Sequence, residues 1–253
     1  MIKYLKNKNV KESSGICRSI KHLGVYWTHN DSGSKPILYA FDELGTDICQ
    51  LSLSCPAMDW EDIASNLVNN VPTIILADVG DNEMKRGTYS IRVITEPEIL
   101  SSSNIPFETI TFKYPDGLSH NCESICLRSD GVIVLVTKNH PSGGTKVFEI
   151  RSYLSGHTET TCTFIRNIST TIGIITSMDI SPSGDKYVLL GGGYASLYTI
   201  ENNFKTPYKR IRLPKMFQPE AICFSQNDLY LLITCEVQKT ATIQQTPLYT
   251  INI

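Results

Sequence analysis

The chain has 253 residues, of which 41% are hydrophobic and 19% charged, and its formal net charge is −2. That balance supplies no basic field for a nucleic acid, and no apolar run reaches the 18 or so residues of a membrane-spanning helix. The opening Met1-Ile2-Lys3-Tyr4-Leu5-Lys6 lacks the long apolar core of a secretion signal and reads as part of the fold. The eight cysteines form no CxxC pair and several fall on apolar strand faces, so reduced, buried thiols of a cytoplasmic protein are expected.

The predicted elements are all short strands separated by turn residues. Ile2–Leu5 comes first. The first unit takes Gly15–Ser19, Val25–Thr28, Ile37–Phe41 and Ile48–Leu53, with turns at Asp31-Ser32-Gly33, Glu43-Leu44-Gly45 and Cys55-Pro56. The second takes Asp62–Ala64, Thr73–Ala77, Thr88–Ile94 and Glu108–Tyr114, with a long Ser/Pro-rich connection over Thr95–Phe107. The third takes Ser124–Leu127, Val132–Thr137, Lys146–Ile150 and Thr160–Ile165, and the fourth Met178–Ser181, Tyr187–Leu190, Ser196–Thr199 and Tyr208–Leu213. The fifth has Ala221–Phe224, Leu229–Thr234 and Leu248–Ile251, then stops one strand short. Glu236–Thr246, polar and rich in threonine and glutamine, is expected to be mobile.

A short phrase heads each unit: Ser14-Gly15-Ile16, Glu61-Asp62-Ile63, Glu123-Ser124-Ile125, Met178-Asp179-Ile180 with Ser177 before it, and Glu220-Ala221-Ile222. A β-rich repeat of roughly 50 residues means a propeller or an array. The expectation is therefore a single all-β domain over residues 1–253, a five-bladed β-propeller with four-stranded blades. Ile2–Leu5 pairs outside Leu248–Ile251 to close the ring and remove an exposed sheet edge.

In a propeller the inner strands line a central channel. The recurring position then forms a ring of Ser14, Glu61, Glu123, Ser177 (or Met178) and Glu220. Three carboxylates facing one another repel unless paired, and a divalent cation answers that repulsion. Ca²⁺ is the natural candidate, since it takes many oxygen ligands in flexible geometry. A glutamate capping a blade end is the plain alternative for any one of them, but three in one register point to a shared task. A second set lies where the next strands end, on the same rim. There Asp31 and Asp81 are candidates to orient water or act as general base, and Lys138, with Arg86 and Arg18 behind it, to meet an anionic substrate group. Asn30, Asn82 and Glu236 complete a substrate-binding set. His29 and His140 lack any zinc-ligand spacing.

The one-per-blade order Ser14, Glu61, Glu123, Ser177, Glu220 resembles the calcium-activated nucleotidases (apyrases) of animals. The turn Asn30-Asp31-Ser32-Gly33 and the phrases Glu61-Asp62-Ile63-Ala64 and Glu123-Ser124-Ile125-Cys126 are similar to motifs of that family. Ser32 stands where the family has an arginine, and Thr137-Lys138 where it has an arginine pair. Trp60-Glu61-Asp62-Ile63-Ala64, Asp78-Val79-Gly80-Asp81-Asn82, Glu96-Pro97-Glu98 and Tyr114-Pro115-Asp116-Gly117 are similar to bacterial propellers loosely described as esterase- or phytase-like. The resemblance implies an axial Ca²⁺ held by one serine or glutamate per blade, with Asp31 the matching acid of the first turn. The expected function is hydrolysis of a small anionic phosphoanhydride or phosphoester by a cation-dependent site. The alternatives are a non-catalytic ligand- or protein-binding propeller with a structural Ca²⁺, and a lyase or lactonase.

Overall fold

The computed structural model describes residues 2–138, 144–151, 159–168, 173–238 and 243–253. Strand β1 (Ile2–Tyr4) precedes blade one: β2 (Ser13–Arg18), β3 (Val25–Asn30), β4 (Ile37–Asp42) and β5 (Asp47–Ser52). Blade two holds β6 (Trp60–Val68), β7 (Val71–Asp78), β8 (Tyr89–Thr95) and, after the two-residue β9 (Ser103–Asn104), β10 (Glu108–Lys113). Blade three holds β11 (Cys122–Leu127), β12 (Ile133–Thr137), β13 (Thr145–Ile150) and, after β14 (Glu159–Thr161), β15 (Thr163–Ile168). Blade four is β16 (Ile175–Ile180), β17 (Lys186–Gly191), β18 (Tyr194–Thr199) and β19 (Lys209–Arg212). Blade five is β20 (Pro219–Phe224), β21 (Tyr230–Cys235) and β22 (Pro247–Asn252).

Each blade is an antiparallel meander, and each inner strand (β2, β6, β11, β16, β20) lies against the inner strands of both neighbouring blades. The architecture is a five-bladed β-propeller, as the repeat predicts. Blade five is completed from the other end of the chain. β1 pairs antiparallel outside β22 with Ile2 opposite Tyr249, Lys3 opposite Leu248 and Tyr4 opposite Pro247. The buried Leu5 continues the seam, its N–H donating to the Thr246 carbonyl at 2.9 Å.

What holds the blades together is their faces. Alternating side chains of adjacent blades interlock into separate apolar clusters. Trp27, Leu38 and Leu51 of blade one meet Trp60, Ile63 and Leu76 of blade two. Ile75, Ile91 and Phe112 meet Ile125, Leu135 and Phe148. Val134 and Val136 meet Met178, Leu189 and Tyr198. Val188 and Leu197 meet Ile222 and Ile233, and Cys223 and Leu232 meet Ile16, Tyr26 and Phe41. All eight cysteines are free thiols; Cys55 is half-buried and the others are buried.

Two sequence expectations are corrected. The Thr95–Phe107 connection is not strandless: Ser103 and Asn104 form β9, which pairs parallel to the outer strand of blade one. Thr160–Ile165 is not one strand. It divides at the buried Cys162, whose N–H reaches the Lys113 carbonyl at 3.0 Å. The part before Cys162, β14, joins blade two parallel to β10, and only β15 belongs to blade three.

Candidate functional site

Each inner strand carries a β-bulge near its start, one extra residue opposite its partner. Register skips between Ser13 and Gly15, Trp60 and Asp62, Cys122 and Ser124, Ile175 and Ser177, and Pro219 and Ala221. The extra residues are therefore Ser14, Glu61, Glu123, Thr176 and Glu220. A bulge re-aims its side chain out of the pleat, and here it does so at one rim of the channel. The fourth position belongs to Thr176, not to Ser177. The residue two places on is an isoleucine in the other blades but Met178 in blade four, so aligning Ile180 slips the register by one strand period. Thr176 Oγ1 donates to the Pro219 carbonyl at 3.0 Å. Ser177 faces the channel axis, where its hydroxyl donates to Asp62 Oδ1 and accepts from Ile222 N–H, both at 3.2 Å.

At the rim of blades one and two, carboxylate oxygens of Asp31, Asp59 and Glu61 lie within 4.8 Å of one another. The loop after β7 is built around them. Asp59 accepts the Val79 and Gly80 N–H groups on its carbonyl at 3.1 and 3.2 Å, and its own N–H donates to Asp78 Oδ1 at 3.2 Å. Gly80 leaves room for the acids: a Cβ there would stand 2.1 Å from Glu61 Oε1 and 2.4 Å from Asp59 Oδ2. Asp31 is fixed by its N–H on the Glu12 carbonyl at 2.9 Å, and its carboxylate accepts Ser32 N–H at 2.5 Å. Asp59 is the functional candidate that the repeat misses, because it precedes the strand and its place is taken by Glu12, Asn121, Ile174 and Gln218 in the other blades. Its signal is the spacing of two to Glu61, which in extended chain projects both side chains to one side.

The electrostatics follow from this crowding. Glu61 is 5% exposed, and no hydrogen-bond donor among the described residues reaches its carboxylate. Burial, then Glu123, Asp31 and Asp59, push its pKa up to about 11 against the pull of Lys138. Burial and Asp31 likewise raise Asp59, with Arg86 opposing. Glu220, across the channel, is pushed up to about 7 by burial, Glu123 and Glu236. Glu123 is the carboxylate with partners: Lys138 Nζ at 2.8 Å and Asn121 Nδ2 at 2.9 Å both serve its Oε1. Burial opposes the charge on Lys138, yet Glu123, Glu61 and Glu220 together hold its ammonium above the ordinary lysine range.

The remaining candidates shape loops. Both oxygens of Asp81 are engaged, Oδ1 by Lys85 N–H at 2.9 Å and Oδ2 by Arg86 N–H and the Tyr89 hydroxyl at 2.8 and 2.9 Å. Those donors outweigh burial and keep its pKa low. Arg86 donates to the Gly80 and Asp78 carbonyls and pairs with Asp78 Oδ1 at 2.9 Å. Asn30 ties down residues 9–12, accepting from Lys11 and Glu12 N–H and donating to the Asn9 carbonyl. Asn82 accepts from Asn121 at 3.1 Å. Glu236 anchors its N–H on the Gln218 carbonyl at 3.1 Å, and Ser14 is buried at its bulge. His29 donates from Nδ1 to the Asn30 carbonyl at 2.9 Å, and burial lowers its pKa to about 4. His140, like Asn139, lies outside the described residues, as does part of Glu236–Thr246.

Below the rim the channel is plugged. Asp62 is fully buried, accepting Ile63 N–H on Oδ1 at 2.9 Å, Ile125 N–H on Oδ2 at 2.9 Å and Met178 N–H on Oδ2 at 3.4 Å, besides the Ser177 hydroxyl. Asp179 accepts Phe224 N–H at 2.9 Å and pairs with Arg18 at 3.0 Å, and Arg18 also donates to the Ile180 carbonyl. Arg18 thus belongs to the channel interior and not to the rim. No family model matches the chain, and no curated protein matches it.

Proposed function

We propose that the protein is a divalent-cation-dependent hydrolase of a small phosphoanhydride or phosphoester, with its site at the rim of blades one to three. The observation that carries this reading is the convergence of Asp31, Asp59 and Glu61 around Gly80. Hard oxygen donors of this kind fit Ca²⁺. Asp31, Asp59 and Glu61 would hold the ion, off the channel axis, with Glu123 and Glu220 adding negative charge beyond. When bound, the ion polarises phosphoryl oxygens and offsets charge that develops on them. Lys138 supplies a second positive charge beside the cluster and is the residue to bind and orient an anionic group. Asp31, half-buried at the rim, accepts a hydrogen bond from water and aims it at the site.

The pairing of Lys138 with Glu123, and the full engagement of Asp81 and Arg86 in loop structure, favour a second reading. In it the cation rigidifies a binding face without turnover. Two measurements separate the readings. Calorimetry on chelated protein should show Ca²⁺ uptake that Glu61→Gln and Asp59→Asn weaken. A panel of p-nitrophenyl phosphate, pyrophosphate and nucleoside diphosphates, run with and without Ca²⁺, should then reveal turnover that Lys138→Met removes while Ca²⁺ uptake persists. Uptake without any turnover supports the binding module. Absence of uptake overturns both.

A further inference from the structure

We propose that the outer edge of blade four is a docking strand for an acidic, extended peptide segment of a partner protein. The proposal is independent of the cation site. Among the described residues β19 pairs only with β18, so its far edge carries no further strand. The segment around it reads Lys205-Thr206-Pro207-Tyr208-Lys209-Arg210-Ile211-Arg212-Leu213-Pro214-Lys215, with no Asp or Glu. Lys205, Lys209, Arg210, Arg212 and Lys215 are all exposed, and Tyr208 is 53% exposed. In a chain of net charge −2 this is a local concentration of positive charge.

A guard against self-pairing would explain one edge lysine. The other open edges show that smaller provision: β15 carries Arg166 and β1 carries Lys3. The excess on β19 is the part a guard leaves unexplained.

The fold itself shows what such an edge accepts. The outer strand of blade one bears a fifth, parallel strand, with Leu51 opposite Ser103 and Ser52 opposite Asn104. The outer strand of blade two bears another, with Thr111 opposite Glu159 and Lys113 opposite Thr161. Both are short, and the second begins with a carboxylate. Blade four has the same position, and no strand among the described residues fills it. Strand addition draws affinity from main-chain hydrogen bonds and selectivity from side chains. Here the side chains select acids: Lys209 and Arg212 flank the central pair, and Arg210 lies over the Tyr194 ring at 4.3 Å. Pro207 and Pro214 bound the usable edge to about one short strand. That length suits a peptide and not a long polyanion.

The test is fluorescence polarisation of the full chain with a dye-labelled heptapeptide of alternating valine and glutamate. Saturable binding is expected, weakened about tenfold or more by Lys209→Glu combined with Arg212→Glu, since each exposed charge pair contributes up to about 1 kcal/mol. The same peptide with alternate amides N-methylated keeps its charge but loses the strand hydrogen bonds, and should not bind. No saturable binding, equal binding of the N-methylated peptide, or tighter binding of a single-stranded oligonucleotide that the same double variant disrupts would each overturn the proposal.

Discussion

Glu61 and Asp62 are neighbours on β6, both buried and both carboxylates, yet their surroundings are opposite. Asp62 turns to the axis and serves the free edges of β11 and β16, where the Ile125 and Met178 N–H groups have no strand to pair with. Glu61 turns to the rim and meets Asp31 and Asp59. One carboxylate substitutes for missing sheet and holds three blades in register. The other costs stability where it stands, and the proposed cation is what would offset that cost. A buried acid is therefore not by itself a sign of function; what separates the two is whether its oxygens are served by donors or faced by other acids.

Substitutions should break this comparison in opposite directions. Asp62→Ala strips acceptors from the Ile63, Ile125 and Met178 N–H groups and the Ser177 hydroxyl, and should destabilise by about 4 kcal/mol in denaturant unfolding. A loss under about 1 kcal/mol would remove Asp62 from its role as a plug. Glu61→Gln should do the reverse. At pH 7 the native chain must hold a proton on Glu61 that the unfolded chain has released, so the amide should stabilise the chelated protein by about 2 kcal/mol. The same change should weaken Ca²⁺ at least about tenfold, because affinity follows ligand charge.

Glu220 extends the contrast to pH. Its carboxyl is pushed up to about 7 from an ordinary 4.5. Between those values the native state keeps the proton and the unfolded state has lost it, so this contribution to stability falls as pH rises through the window. Glu220→Gln should therefore gain on the parent from pH 4.5 to 7, by about 2 kcal/mol at the upper end, and stay level below it. A constant difference across the titration would show that Glu220 titrates normally. The smallest effect is expected from Gly80→Ala. Its methyl group displaces the flexible ends of Glu61 and Asp59 rather than backbone, so melting should barely change while Ca²⁺ affinity drops about tenfold, or 1.4 kcal/mol.

Much of the architecture was legible because inner strands repeat. Ile16, Ile63, Ile125 and Ile222 mark the same position in four blades, and the unpaired last unit called for Ile2–Leu5. Blade four misled because Met178 fills the isoleucine place while Ile180 lies on the same face two residues later. Hydrophobic alternation alone does not resolve a slip of one period. The fifth strands β9 and β14 were illegible for another reason: Ser103-Asn104 and Glu159–Thr161 are strands only because a neighbouring edge pairs with them. At the site, the repeated acids Glu61, Glu123 and Glu220 were found by register. Asp59 lies before its strand at a position whose residue changes from blade to blade, and the hub role of Asp62 depends on N–H groups from two other blades.

The seam between β1 and β22 has a consequence for the order of events in synthesis. Blade five draws on both ends of the described chain: until residues 247–252 have emerged, Ile2–Tyr4 cannot make this pairing, while the blades between can already stack. Blade five is thus the final piece to assemble, and the apolar faces bordering it remain open longest. The antiparallel pairing of Ile2 with Tyr249 also brings the two ends of the described chain side by side. A short turn joining residue 253 to residue 2 would make β22 and β1 an ordinary hairpin. A chain so rejoined and reopened in a loop between two other blades would meet the four meander strands of each blade in sequence, leaving only β9 and β14 to join from the blade that follows.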